Sequence, residues 1–206
     1  MIIDENKIKE YKEKNMENEN NLLEYDEVCP YSEGRAAVRK GEFWGYVDEN
    51  GKLVSTDFTR SGRPGFPYSY AEPFCDGWAL VHNKCAEDEH CHLIDRNCDP
   101  MMVEGEYMYK GCPMRNGIAI VGTYFGKNFK EFFVDKDCHV LSDKFEEIDY
   151  IDETGMSYAD FGNYAMVRNG YKYGLLNVKS FKLELPCEYG WTDFLEEIER
   201  LGISFE

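Results

Sequence analysis

Four stretches of this sequence begin alike: Gly34-Arg35-Ala36-Ala37-Val38, Gly77-Trp78-Ala79-Leu80-Val81, Gly117-Ile118-Ala119-Ile120-Val121 and Asn163-Tyr164-Ala165-Met166-Val167. In each, Ala stands two residues and Val four residues after the Gly or Asn. Side chains alternate across a strand, so Ala and Val mark one face of the same strand in every copy. The residues between them are mostly apolar too, which predicts burial on both faces. Asn in the fourth copy is the commonest replacement for Gly where φ is positive. The starts are spaced by 43, 40 and 46 residues, a period that belongs to an array of small supersecondary units.

A second strand follows each start, in Trp44-Gly45-Tyr46-Val47-Asp48, Cys91-His92-Leu93-Ile94-Asp95, Glu131-Phe132-Phe133-Val134-Asp135 and Tyr173-Gly174-Leu175-Leu176-Asn177. Each runs into a turn that opens with Asp or Asn, whose side chain can accept nearby backbone N–H groups. Asn50-Gly51 in the first copy is a strong hairpin signal. Cys98, Cys138 and Ser180 take the Gly51 place in the later copies. A short third strand is expected to close each unit, as in Lys52-Leu53-Val54 and His139-Val140-Leu141. An aromatic then follows, in Phe58, Tyr107, Phe145 and Tyr189. Glu24-Tyr25-Asp26 is related to these aromatic stretches and precedes the first copy as a half-unit.

Residues 33–54, EGRAAVRKGEFWGYVDENGKLV, resemble a WG repeat, also called the KWG repeat, named for the pair seen here as Trp44-Gly45. The fourth copy keeps Tyr173-Gly174 in that place, whereas the second and third carry Cys91-His92 and Glu131-Phe132 and match by register. The resemblance implies a β-repeat architecture. The family it points to is abundant in bacteria, and its members mostly lack an assigned activity.

The expected fold is therefore all-β: about four WG-like antiparallel hairpin units of two to three strands, with short terminal helices. The 15 Tyr and 13 Phe suit such a fold, since aromatic side chains favour pleated, half-buried surfaces. Residues 1–22 read as a charged helical or disordered leader, and 23–190 as the repeat domain, with repeats at about 31–58, 71–107, 114–145 and 160–189. Residues 191–206 have apolar positions at helical spacing. They predict an amphipathic helix that starts at Thr192 or Asp193 and covers the open edge of the last repeat.

The net charge of −17 is unevenly spread. Residues 1–30 carry −5, residues 184–206 carry −6, and the long stretch between carries only −6. Such a surface repels nucleic acid and anionic membrane. No apolar run is long enough to span a bilayer, and the N-terminus lacks the pattern of a secretory signal. A cytoplasmic location is expected, with the eight Cys behaving as small apolar residues in a reducing compartment.

Catalytic motifs are missing: there is no G-x-S-x-G elbow, P-loop or dinucleotide fingerprint. The segment 82–98 concentrates His82, Cys85, His90, Cys91, His92 and Cys98. Its C-x5-C spacing lacks the paired clusters of a zinc site, and repeat register already explains Cys91 and Cys98. No catalytic, metal or cofactor residue is assigned. Copies two and three carry four extra residues between their Gly and Asp anchors, within Lys84–His90 and Phe125–Lys130. With the irregular 60–70 link, these form the expected contact surface of a non-enzymatic module that binds another protein. An acidic inhibitor or immunity-type protein directed at a basic partner is the alternative reading. A small metal-binding protein centred on Cys85, Cys91 and His92 is a third.

Overall fold

The computed structural model describes residues 24–55, 67–84, 89–150 and 163–203. The leader 1–22, Phe58, Cys85 and residues 60–66 of the link lie outside these. The fold is all-β, with one helix among the described residues. No described helix is long and apolar enough to cross a membrane. The chain divides into two compact units between Asp99 and Pro100, with two copies of the start in each.

In the first unit, β1 (Glu27–Val28), β2 (Arg35–Lys40) and β3 (Phe43–Asp48) form one antiparallel set. The second set is β4 (Tyr70–Ala71), β5 (Ala79–Lys84) and β6 (Glu89–Ile94). The second unit opens with a small hairpin of β7 (Met102–Val103) and β8 (Glu106–Tyr107). It continues with β9 (Lys110–Gly111), β10 (Ile118–Phe125) and β11 (Asn128–Asp135). The last set is β12 (Glu147–Tyr150), β13 (Tyr164–Asn169), β14 (Lys172–Asn177) and β15 (Lys182–Tyr189), followed by α1 (Trp191–Arg200).

The start of each copy is thus a central strand, not a first one. The segment before it supplies a short partner, β1, β4, β9 or β12. In the first three copies the start is reached by a two-residue turn with both residues at positive φ: Glu33-Gly34, Asp76-Gly77 and Asn116-Gly117. That is the backbone a type I′ hairpin turn requires, and it explains why the repeat begins on Gly.

Both faces of the start strand are buried, as its pattern predicts: Ala36, Ala37 and Val38 are each at most 1% exposed. Ala36, Val38 and Val47 form one cluster with Tyr25 and Leu53. Ala37 and Tyr46, from the opposite face, join Ala79, Val81 and Ile94 of the next copy, with Tyr68, Phe74 and Cys98. The Ala-x-Val face of copy two therefore packs on the other face of copy one. Tyr46 lies at the centre of this cluster: its hydroxyl donates to the Glu72 carbonyl at 2.6 Å, and its ring meets Phe74 edge-on at 5.0 Å.

The acidic turn after each second strand repeats atom for atom in three copies. The Oδ1 atoms of Asp48, Asp95 and Asp135 each accept the N–H groups two and four residues on. Gly51, Cys98 and Cys138 then take φ of 71, 66 and 65°. This backbone strains a side chain, and here two Cys accept it. In copy four the turn is one residue longer, and Phe181 carries the positive φ instead of Ser180.

The closing strand is weaker than its sequence suggests. In copies one and three it is a single bridge, Val47 to Leu53 and Val134 to Val140. One step on, a serine hydroxyl replaces a backbone partner: Ser55 Oγ accepts the Tyr46 N–H and Ser142 Oγ accepts the Phe133 N–H. Only copy four has a full closing strand, β15. The aromatic that bridges to Trp44 is Tyr68; Phe145 and Tyr189 bridge to the same slot in copies three and four.

The helix α1 starts at Gly190, which caps it without a side-chain bond, and not at Thr192 or Asp193. Phe194 and Ile198 are buried with Leu175 and Leu185, so the helix covers a sheet face and leaves β15 as the edge. That edge carries Pro186 and an irregular register between Leu183 and Tyr189, features that discourage pairing with another strand. The irregular backbone lies close over Gly174. A Cβ there would stand 2.8 Å from both the Leu185 carbonyl oxygen and Cys187 Sγ. Gly174→Ala is therefore expected to cost about 2–3 kcal/mol in urea denaturation; a variant as stable as the parent would contradict this packing.

Candidate functional site

One row of side chains recurs across the link, start and second strands of every copy. Register aligns Glu27–Arg39–Trp44, Tyr70–His82–Cys91, Lys110–Gly122–Glu131 and Glu147–Arg168–Tyr173. In each, the central carbonyl accepts an N–H from the link strand: Asp26, Ser69, Tyr109 and Glu146 are the donors. The central residue therefore faces the second strand in a non-hydrogen-bonded pair, where opposed side chains sit closest.

Copies one and four use the row in the same way. Arg39 donates to Glu27 at 3.0 Å and to the Gly41 carbonyl at 2.8 Å, and its guanidinium stands 5.9 Å from the Trp44 ring centre. Arg168 likewise donates to Glu147 and to the Gly170 carbonyl. Asp26 and Glu146 accept the Gly41 and Gly170 N–H groups. The Gly170 N–H and the Lys130 ammonium hold the Glu146 carboxyl below its ordinary value despite partial desolvation. These contacts fasten a hairpin turn. Their sequence signal is an aromatic-acid-acid run (Tyr25-Asp26-Glu27, Phe145-Glu146-Glu147) followed by Arg-x-Gly, which the Gly-x-Ala-x-Val pattern does not include.

Copy two departs most from this pattern. Its row holds Tyr70, His82 and Cys91 in place of an Arg and its acid, with Tyr70 edge-on to His82 at 5.3 Å and to Trp44 at 6.3 Å. Cys91 and His92 are neighbours on β6 and so point to opposite faces. His92 pairs with Val81 on the core side and is 4% exposed, whereas Cys91 pairs with His82. The two do not converge on one ion from β6; Cys85 lies outside the described residues. Among the described residues, no group of three or more His, Cys, Asp or Glu could hold a metal. Cys98 belongs to the core cluster, where burial pushes its thiol up to about 12.

Of the two expected extensions, that of copy two falls on residues 85–88, outside the described residues, and that of copy three is seen. The strands of copy three have eight residues each against six in copies one and four, and pairing runs to Phe125–Asn128. Four rings line one face: Tyr107, Tyr109, Tyr124 and Phe129, with successive centres at 4.9, 5.7 and 5.0 Å. Tyr109 is 40% and Tyr124 52% exposed. Gly122 makes room for the strip, because a Cβ there would meet the Phe129 ring at 2.6 Å. At the end of the row, the buried Glu131 carboxylate accepts Lys110 Nζ at 2.6 Å and the Ile148 N–H at 3.0 Å. The same row thus carries charge of reversed order, and it ties copy three to the link strand of copy four.

A family model described as a WG containing repeat matches residues 23–42. Residues 23–42 are thus similar to a WG containing repeat. The matched stretch holds Glu27, Arg39 and Gly41, the fastening that copies one and four share. No curated protein matches the chain. Among solved structures, the crystal structure of the tricorn protease aligns at 13% identity with a TM-score of 0.30. The alignment covers 79% of this chain and 16% of that one. A likeness this slight carries no argument about fold or chemistry.

The Trp-Gly slot tolerates Glu131 because Lys110 and Ile148 satisfy it. Glu131→Ala leaves a half-exposed ammonium and a buried N–H without their partner, and is expected to cost about 2 kcal/mol by chemical denaturation. Glu131→Gln keeps an acceptor for Ile148 and should lose less. Equal losses for the two variants would show that the buried acceptor does not matter.

Proposed function

We propose that this protein is a non-enzymatic binding module whose partner is another protein. The carrying observation is the aromatic strip that Tyr124 and Phe129 of the extended hairpin of copy three form with Tyr107 and Tyr109 of the segment before it. Tyrosine is enriched where proteins bind, since its ring buries a large area at little entropic cost while its hydroxyl keeps a polar contact. Tyr124 and Phe129 lie on the long, regularly paired β10 and β11, and Tyr107 and Tyr109 are tied to β10 through Thr123 and the Gly122 carbonyl, so the rings are held before any partner arrives, which lowers the cost of binding. A cytoplasmic setting suits the seven described cysteines, all of which lie outside disulfides.

The test is a pull-down with quantitative mass spectrometry, comparing the parent with a Tyr109→Ser, Tyr124→Ser double variant. A Leu195→Ser variant on the exposed side of α1 serves as the control. Loss of the two rings should weaken binding of a specific partner by at least about thirtyfold, with the thermal midpoint kept. An unchanged partner set in the double variant would reject the strip as the binding face.

A further inference from the structure

Copy two puts a thiol and an imidazole where the other copies put a fastening. His82 and Cys91 are directly opposed on β5 and β6. The His82 carbonyl is turned to the Ser69 N–H of β4, so the pair is of the non-hydrogen-bonded kind, with Cα atoms about 4.5 Å apart and side chains on one face. Tyr70 holds the imidazole from the other side, and Trp44 stands behind Tyr70. Cys91 is partly exposed. Cys91, His82 and Tyr70 therefore share one face of the sheet, and an incoming disulfide would reach the sulfur from that face.

We infer that Cys91 is an exchange-reactive thiol, with His82 as its base, that forms mixed disulfides with low-molecular-weight disulfides. The Cys91 S–H proton passes to the His82 ring. The thiolate attacks one sulfur of the incoming disulfide, that S–S bond breaks, and a new one joins Cys91 to the attacked sulfur. The departing thiolate takes the proton from His82. One disulfide is consumed and one is formed, so no further oxidant is needed.

Among the described residues, the other thiols are poorer candidates. Burial pushes Cys29, Cys138 and Cys187 up from their ordinary value, and Cys98 and Cys112 up to about 12. A raised thiol holds less thiolate at neutral pH, and thiolate is the nucleophile. Cys75 lies beside the Asp76 carboxylate at 3.9 Å, not beside an imidazole.

The test uses the full chain with a substoichiometric amount of dipyridyl disulfide, following thione release and locating the adduct by peptide mass mapping. The first adduct should fall on Cys91. His82→Asn and His82→Gln should each slow its formation at neutral pH at least about tenfold, and Cys85→Ser should leave the rate unchanged. Because the adduct is read on Cys91 alone, thiols exposed by a loosened variant do not confuse the result. A first adduct on any other cysteine, or a Cys91 rate unaffected by both His82 variants, would overturn the inference.

Discussion

The whole array depends on one strand being buried on both faces. Val38 and Val81 are fully buried, and the neighbouring Ala37 and Leu80 are nearly so. A two-stranded hairpin cannot bury two faces by itself. It needs one layer from its own link or closing segment and another from the adjacent copy. In the first unit this is visible residue by residue: Ala37 and Tyr46 of copy one share a cluster with Ala79, Val81 and Ile94 of copy two. Small residues at the Ala positions let the layers come close, and large rings such as Tyr46 fill what remains.

Link segments complete this arrangement. Tyr68 bridges to Trp44 in copy one, and two residues later Tyr70 pairs with His82 in copy two. Phe145 and Glu147 do the same between copies three and four, bridging to Glu131 and pairing with Arg168. Each of these two links thus closes one copy and opens the next, so the two copies within each unit share backbone hydrogen bonds. With the scaffold held in this way, the row across each copy is free to change chemistry. Copies one and four spend it on Arg fastenings, copy three on a reversed ion pair beside an aromatic strip, and copy two on a thiol and an imidazole.

Much of this was legible in the sequence. The Gly-x-Ala-x-Val starts, the Asp turns and the double-sided burial follow from alternation and from turn chemistry, and they appear as read. The short link strands were not legible, because two residues such as Tyr70-Ala71 carry no period. The closing strands were over-read: Lys52-Leu53-Val54 has the right pattern, but Ser55 caps the ladder after one bridge. Phe58 lies outside the described residues, and the bridge from Tyr68 to Trp44 is not one that a fixed spacing from the start finds. The candidate sites were hardest to see. Cys91 and His92 are adjacent in sequence yet face opposite ways, and Cys91 meets His82 only through register.

Native-state hydrogen exchange on a Val81→Ala variant tests the shared core most directly. Removing two methyl groups from copy two should cost about 2 kcal/mol. If the two layers form one cooperative body, the amides of Val38 and Tyr46 in copy one should lose protection by the same factor as those of β5. Loss confined to β5 and β6, with copy one unchanged, would show that the copies fold separately and would contradict the account.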